Sequence, residues 1–215
     1  MLLRALLFFG LSLAAQAAII ASVTGPIAPG GGGSIGTNQA QAVGFTLGQN
    51  YDNLTISAFI SGPTDQTYDA YLTTSLGPGT TNADEVAFAN LSFPGVAPAT
   101  YTPVFSGLSL LAGTYYLTLF NPTGSGAWYR TNIPTTIEAP GSSNDFTGYH
   151  ILAIPGVLAY PPAADYADHL NFGDTLMYSV EQIDDRVVPE PASATLIAAG
   201  LLALALKARR SRTEP

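Results

Sequence analysis

The single tryptophan, Trp128, follows Gly124-Ser125-Gly126 and precedes Tyr129 and Arg130. An aromatic face packs on the CH groups of a sugar ring, and a neighbouring guanidinium bonds hydroxyls. Trp128, Tyr129 and Arg130 are therefore the residues from which a carbohydrate-binding module would be built. The competing reading is a core tryptophan, common in β-sandwiches.

Metal chemistry has fewer candidates. His150 and His169 are the two histidines, and Asp165 and Asp168 lie near them in the sequence. Their spacing fits no zinc pattern, and HExxH is absent, so no metal site is assigned. Acidic and amide side chains fall on expected turns at Asp52, Asp65, Asp69, Asp84, Glu85, Asn144 and Asp145. Calcium takes several oxygen ligands from such loops, so a structural calcium ion is the one cofactor left open. No ligand set is singled out for it.

Catalytic patterns are sparse. The chain has no cysteine, which excludes disulfides, thiolate nucleophiles and Cys-ligated zinc. There is no Gly-x-Ser-x-Gly elbow, and no lysine precedes Lys207, which removes Schiff-base chemistry from the body of the chain. The run Pro29-Gly30-Gly31-Gly32-Gly33-Ser34 lacks the Lys and the following helix of a phosphate loop and reads as flexible linker. The expectation is a non-enzyme. A secreted hydrolase remains the alternative, since paired carboxylates act through a separation in space that sequence does not show.

These residues must be positioned by β-structure. Charged residues are only 10% of the chain, Gly (22) and Pro (16) are frequent, and Tyr and Thr are plentiful. Leu54, Ile56, Ala58 and Ile60 alternate on one face of a strand, as do Tyr115, Leu117 and Leu119, and Leu176, Tyr178 and Val180. Further strands are expected at Ile19–Val23, Ala40–Leu47, Tyr68–Ser75, Glu85–Ser92, Tyr101–Gly107, Ala127–Asn132 and Gly148–Ile154. Gly-Pro, Pro-Gly, Asn-Pro and Ser-Gly breaks separate them, and 133–146 and 155–169 read as long loops. About nine or ten strands in ~170 residues predict an all-β, antiparallel two-sheet sandwich, jelly-roll-like, over 19–183.

The two ends differ from this body. Residues 1–18 hold a positive Arg4, an apolar run Ala5–Ala14 and the A-x-A site Ala15-Gln16-Ala17. These are the three parts of a signal peptide, with a signal helix and a cut after Ala17 or Ala18. At the other end, a linker over 184–188 leads to Pro189-Glu190-Pro191. The uncharged run Ala192–Leu206 follows, then the basic Lys207, Arg209, Arg210 and Arg212. As a helix the run spans roughly 22 Å, short of a ~30 Å hydrocarbon core, and extending it back toward Val187 supplies the length of a transmembrane helix. The basic residues keep that end cytoplasmic. Of seven basic residues only Arg130 and Arg186 lie between the two ends, and that stretch holds nearly all of the acids. Nucleic acid, which needs clustered Lys and Arg, is excluded as a partner.

The tail 189–212, with its Pro-Glu-Pro element, short apolar helix and Arg-rich end, resembles the PEP-CTERM sorting signal of Gram-negative bacteria. The resemblance implies recognition by exosortase, a membrane-embedded cysteine transpeptidase. It also implies export through signal peptidase and the secretion machinery, transient inner-membrane attachment through the C-terminal helix, and a final place at the cell surface or outside the cell. Producers of this family commonly make exopolysaccharide, which is the partner it suggests. More locally, Ala70–Thr81, Leu111–Asn121 and Gly126–Tyr129 resemble domains found ahead of such tails, in which a Gly-Thr-Tyr-Tyr strand precedes an exposed Trp. The function expected from all this is an exported envelope or matrix protein whose β-domain is structural or adhesive.

Overall fold

The computed structural model describes residues 16–62, 66–93, 97–151, 159–168 and 173–184. Fourteen strands occur among them: β1 (Gln16–Thr24), β2 (Gly32–Gly36), β3 (Gln39–Leu47), β4 (Tyr51–Gly62), β5 (Gln66–Thr73), β6 (Glu85–Phe93), β7 (Ala97–Leu110), β8 (Gly113–Phe120), β9 (Ser125–Thr131), β10 (Thr135–Glu138), β11 (Ser143–Ile151), β12 (Ala167–Asp168), β13 (Thr175–Leu176) and β14 (Tyr178–Asp184). They form one large antiparallel sheet in the order β10-β1-β14-β4-β9-β2-β3-β8-β5-β6. Four branches leave this path: β7 on β4, β11 on β3, β12 on β11 and β13 on β9. The fold is all-β, as the composition predicts.

The alternation read from the sequence sets the inner face. Leu54, Ile56, Ala58 and Ile60 of β4, Tyr68, Ala70 and Leu72 of β5, and Tyr115, Leu117 and Leu119 of β8 all enter the hydrophobic core. In a pleated strand such residues share a face because successive side chains point to opposite sides. β8 departs from the simple pattern, since Thr118 and Phe120 on its other face are buried as well. The turn Pro161–Ala163 packs against β8.

The Gly-rich stretch is not a linker. Gly30 and Gly31 turn the chain at φ +92° and +76°, and β2 then runs along β9, pairing Gly33 with Trp128 and Gly32 with Tyr129. At Gly33 a Cβ would sit 2.8 Å from Oε1 of Gln41, a wholly buried side chain whose Nε2 donates to the Ser34 carbonyl at 3.0 Å. Glycine serves close approach here, not freedom. The expected loops also hold pairing. β10 and the start of β11 lie within 133–146, and β12 within 155–169, which raises the strand count above nine or ten.

One close contact gives a test of the packing. A Cβ at Gly126 would lie 1.3 Å from the Tyr68 hydroxyl, which donates to the Ser61 carbonyl from a fully buried ring. The ring has nowhere to withdraw. Gly126→Ala is expected to lower stability by about 1–3 kcal/mol or more, as overpacking does. The measurement is a urea titration, read as a lower midpoint at unchanged slope. An unshifted midpoint would contradict this packing.

β1 begins at Gln16, inside the segment expected to be the leader, and Ala17, Ala18 and Ile19 are exposed along it. The rest of that segment (1–15) and the whole C-terminal tail (185–215) lie outside the described residues, and with them both expected helices. Among the described residues no helix is long and apolar enough to cross a membrane.

Candidate functional site

Trp128 does not present a sugar platform. It sits inside β9 between Gly33 of β2 and Ile60 of β4, and none of its surface is exposed. Its indole Nε1 donates to the Met177 carbonyl at 2.8 Å, which satisfies the one polar atom of a buried indole. This corrects both the platform reading and the exposed tryptophan implied by the local resemblance. Three strands, β2, β9 and β4, meet at this position.

Its two neighbours are occupied structurally. Tyr129 is half-buried, edge-on to Phe59 with ring centroids 5.8 Å apart, and its hydroxyl accepts from Ser61 at 3.4 Å. Phe59 in turn meets Tyr101 at 4.9 Å. The Arg130 guanidinium pairs with Asp174 at 3.2 Å. The structure therefore does not assemble Trp128, Tyr129 and Arg130 into one surface.

The acidic residues read as turn ligands are dispersed. Asp84 closes the 3-10 turn Asn82–Asp84 by accepting from the Thr81 amide at 2.8 Å. Asp145 accepts from Thr46 and Ser143, and Asn144 donates to Glu138 while its Oδ1 accepts from the Tyr178 hydroxyl. Asn144, Asp145 and Tyr178 line a cleft of about 140 Å³ with Val23 and Phe146, but their polar atoms are already engaged in these bonds. His150 bonds the Asp165 carbonyl through Nδ1 at 2.7 Å; Asp168 pairs with Gly148 between β12 and β11, and Asp65 and His169 lie outside the described residues. Among the described residues no three His, Asp or Glu side chains come together to hold a metal. Of the expected processing residues, Ala17 and Ala18 are exposed at the start of β1. Ala15, Pro189, Glu190, Pro191, Lys207, Arg209, Arg210 and Arg212 lie outside the described residues.

A different cluster is assembled on the outer face of β5 and β6. The register pairs Tyr71 with Phe88, Asp69 with Asn90 and Thr67 with Ser92. Tyr71 and Phe88 meet at 5.0 Å, and Tyr160 packs edge-on against Tyr71 at 5.5 Å while its hydroxyl donates to Glu85 at 3.3 Å. One rung along, the Asn90 amide donates to the Asp69 carboxylate. Burial raises the pKa of Asp69 above its usual value, and the Asn90 bond works against that rise. Burial and the nearby Asp69 and Glu85 push the Tyr71 phenol up to about 12, so it stays neutral. Phe88 keeps 46% of its surface exposed. The sequence carried one signal for this cluster: alternation puts Tyr68, Ala70 and Leu72 on the core face of β5 and so turns Tyr71 outward.

No family model, curated protein or solved structure matches the chain.

Proposed function

We propose that the chain is an exported envelope protein, routed by its two ends and carrying a non-catalytic β-domain. The observation that carries this reading is the placement of charge and apolar length. Arg4 stands ahead of one apolar run, Lys207, Arg209, Arg210 and Arg212 stand behind another, and Pro189-Glu190-Pro191 precedes the second. Removal of a leader after Ala17 or Ala18 is compatible with the sheet. The register of β1 against β10 runs from Ala21 to Thr24, so trimming leaves those rungs in place.

The domain between the ends reads as two layers of one folded-over sheet. β6, β5, β8, β3 and β11 would make one layer, and β10, β1, β14, β4 and β7 the other, with β2 and β9 at the fold. Phe45 of β3 and Tyr178 of β14, which are not sheet neighbours, meet ring to ring at 6.1 Å, as facing layers require. A structural or adhesive role outside the cytoplasm suits such a domain. A tail recognised by an exosortase-like transpeptidase suits delivery to the cell surface or to an exopolysaccharide matrix.

The test is mass spectrometry of the mature protein from its native host. The expected product begins at Ala18 or Ile19 and lacks the residues from the Pro-Glu-Pro element onward or close to it. Replacing Pro189, Glu190 and Pro191 together by alanine is expected to leave the tail attached. Normal processing of that variant would refute the sorting role.

A further inference from the structure

We propose that the outer face of β5 and β6, centred on Phe88, is a binding platform for a polysaccharide chain that lacks anionic groups. The site is independent of how the chain is routed.

Three features on this face act together. The first is an exposed ring braced at its side by a cross-strand neighbour. Single exposed apolar side chains need no explanation, but Phe88 meets Tyr71 ring to ring across the strands, Tyr71 is held by Tyr160, and Tyr160 is tied to Glu85. An aromatic surface fixed before a ligand arrives loses less freedom on binding, so more of its contact energy appears as affinity. The row Phe59–Tyr101–Tyr129 on β4, β7 and β9 offers a contrast, since none of its rings is as exposed.

The second feature is the polar rung beside the ring. Asp69 and Asn90 lie two residues from Tyr71 and Phe88 on the same face. That spacing is about 7 Å along the strands. An ionised carboxylate accepts several hydrogen bonds, and only one is used by Asn90, whose own Oδ1 is a further acceptor. A sugar ring stacked on Phe88 would place hydroxyl or amino donors within reach of these oxygens. Aromatic stacking with adjacent acceptors is how proteins hold a ring that is apolar on its faces and polar at its rim.

The third feature fixes the ligand's charge. Between residues 19 and 183 eleven acids stand against one base, Arg130, and that base is paired with Asp174. Glu85 and Asp69 flank the rings themselves. A uronate or sulfated chain would meet repulsion both at the site and over the whole domain, whereas uncharged or amino-bearing sugars would not.

Affinity electrophoresis of the full chain in detergent tests this, with three polymers cast in the gel: an uncharged soluble glucan, chitosan as the amino-bearing chain, and polygalacturonate as the anionic one. Retardation by the glucan or by chitosan, and none by polygalacturonate, is expected. Phe88→Ala should weaken that retardation about tenfold, the equivalent of losing one stacking contact. Asn90→Ala should weaken it less, and Leu111→Ala, which removes an exposed side chain elsewhere, should leave it unchanged. Unaltered thermal melting of each variant confirms that it is folded. The proposal is overturned by no retardation with either non-anionic polymer, by preference for polygalacturonate, or by equal retardation of wild type and Phe88→Ala. Chitosan retardation that salt abolishes and Phe88→Ala does not change is ion exchange, and also overturns it.

Discussion

Raising the pH from 10 to 12 is expected to unfold the β-domain in one steep transition. Tyr68 and Tyr178 have at most 1% of their surface exposed. Burial, with a smaller contribution from Tyr129, pushes the Tyr68 phenol up to about 12. Burial, with help from Asp145 and Glu138, raises Tyr178 further. An unfolded chain ionises tyrosine near pH 10. Below that pH neither state has lost a phenolic proton, and the stability these groups contribute is fully present. Above it the unfolded chain releases protons that the folded domain keeps, so stability falls as pH rises toward the folded values. Each such tyrosine costs roughly 1.4 kcal/mol per pH unit, so the two together remove about 5 kcal/mol by pH 12. That is comparable with the whole stability of a marginal domain. Tyr71, Tyr101 and Tyr160, also raised to about 12, act in the same direction but are less buried and count for less. No lysine lies between residues 16 and 184, and arginine stays charged in this range, so the transition belongs to tyrosine. Tyrosinate absorbance and far-UV circular dichroism should change together. Independent ionisation of the phenols at an ordinary pH, with the circular dichroism unchanged to pH 12, would show that these rings are not buried.

Most strands were legible because one side of each faces the core. Strand β8 runs over Gly113–Phe120 around the alternating Tyr115, Leu117 and Leu119, and β4 runs past the alternating residues Leu54 to Ile60 at both ends. β2 was not legible, because its residues are glycine and serine and carry no alternation. Its strand state comes from β9 alongside it and from the room that Gln41 takes. Likewise β10 has all four residues exposed, so no buried face marked it in the sequence; pairing with β1 makes it a strand.

The candidate sites divide along the same line. Sequence singled out Trp128 by its rarity and by the tight Gly-Ser-Gly turn before it. Whether a tryptophan on a strand faces in or out depends on what crosses it, and here β2 and β4 both do. The cluster on β5 and β6 was hidden for the opposite reason. Its residues are separated by up to 91 positions, from Asp69 to Tyr160, and they become neighbours only through the β5–β6 register and the turn that carries Tyr160. Alternation gave their orientation but not their company.

Truncating Trp128 separates a packing role from a binding role. Trp128→Ala removes the largest fully buried side chain at the junction of β2, β4 and β9. Loss of a buried aromatic ring costs about 3–5 kcal/mol through lost burial and the cavity left behind. For a domain of this size that is a fall in Tm on the order of 10 °C. Trp128→Phe keeps most of the volume and removes the indole N–H. The Met177 carbonyl still accepts from the Phe59 amide at 3.0 Å, so it is not orphaned, and a loss of only about 1–2 kcal/mol is expected. The order Ala far below Phe, with Phe near wild type, identifies packing as the larger contribution. Fluorescence gives an independent reading, since Trp128 is the only tryptophan. Its emission should be blue-shifted and resistant to iodide in the folded protein, and should become quenchable on unfolding. A ring that iodide quenches in the native state, or a Trp128→Ala variant that melts like wild type, would return the indole to the surface and would take the three-strand junction with it.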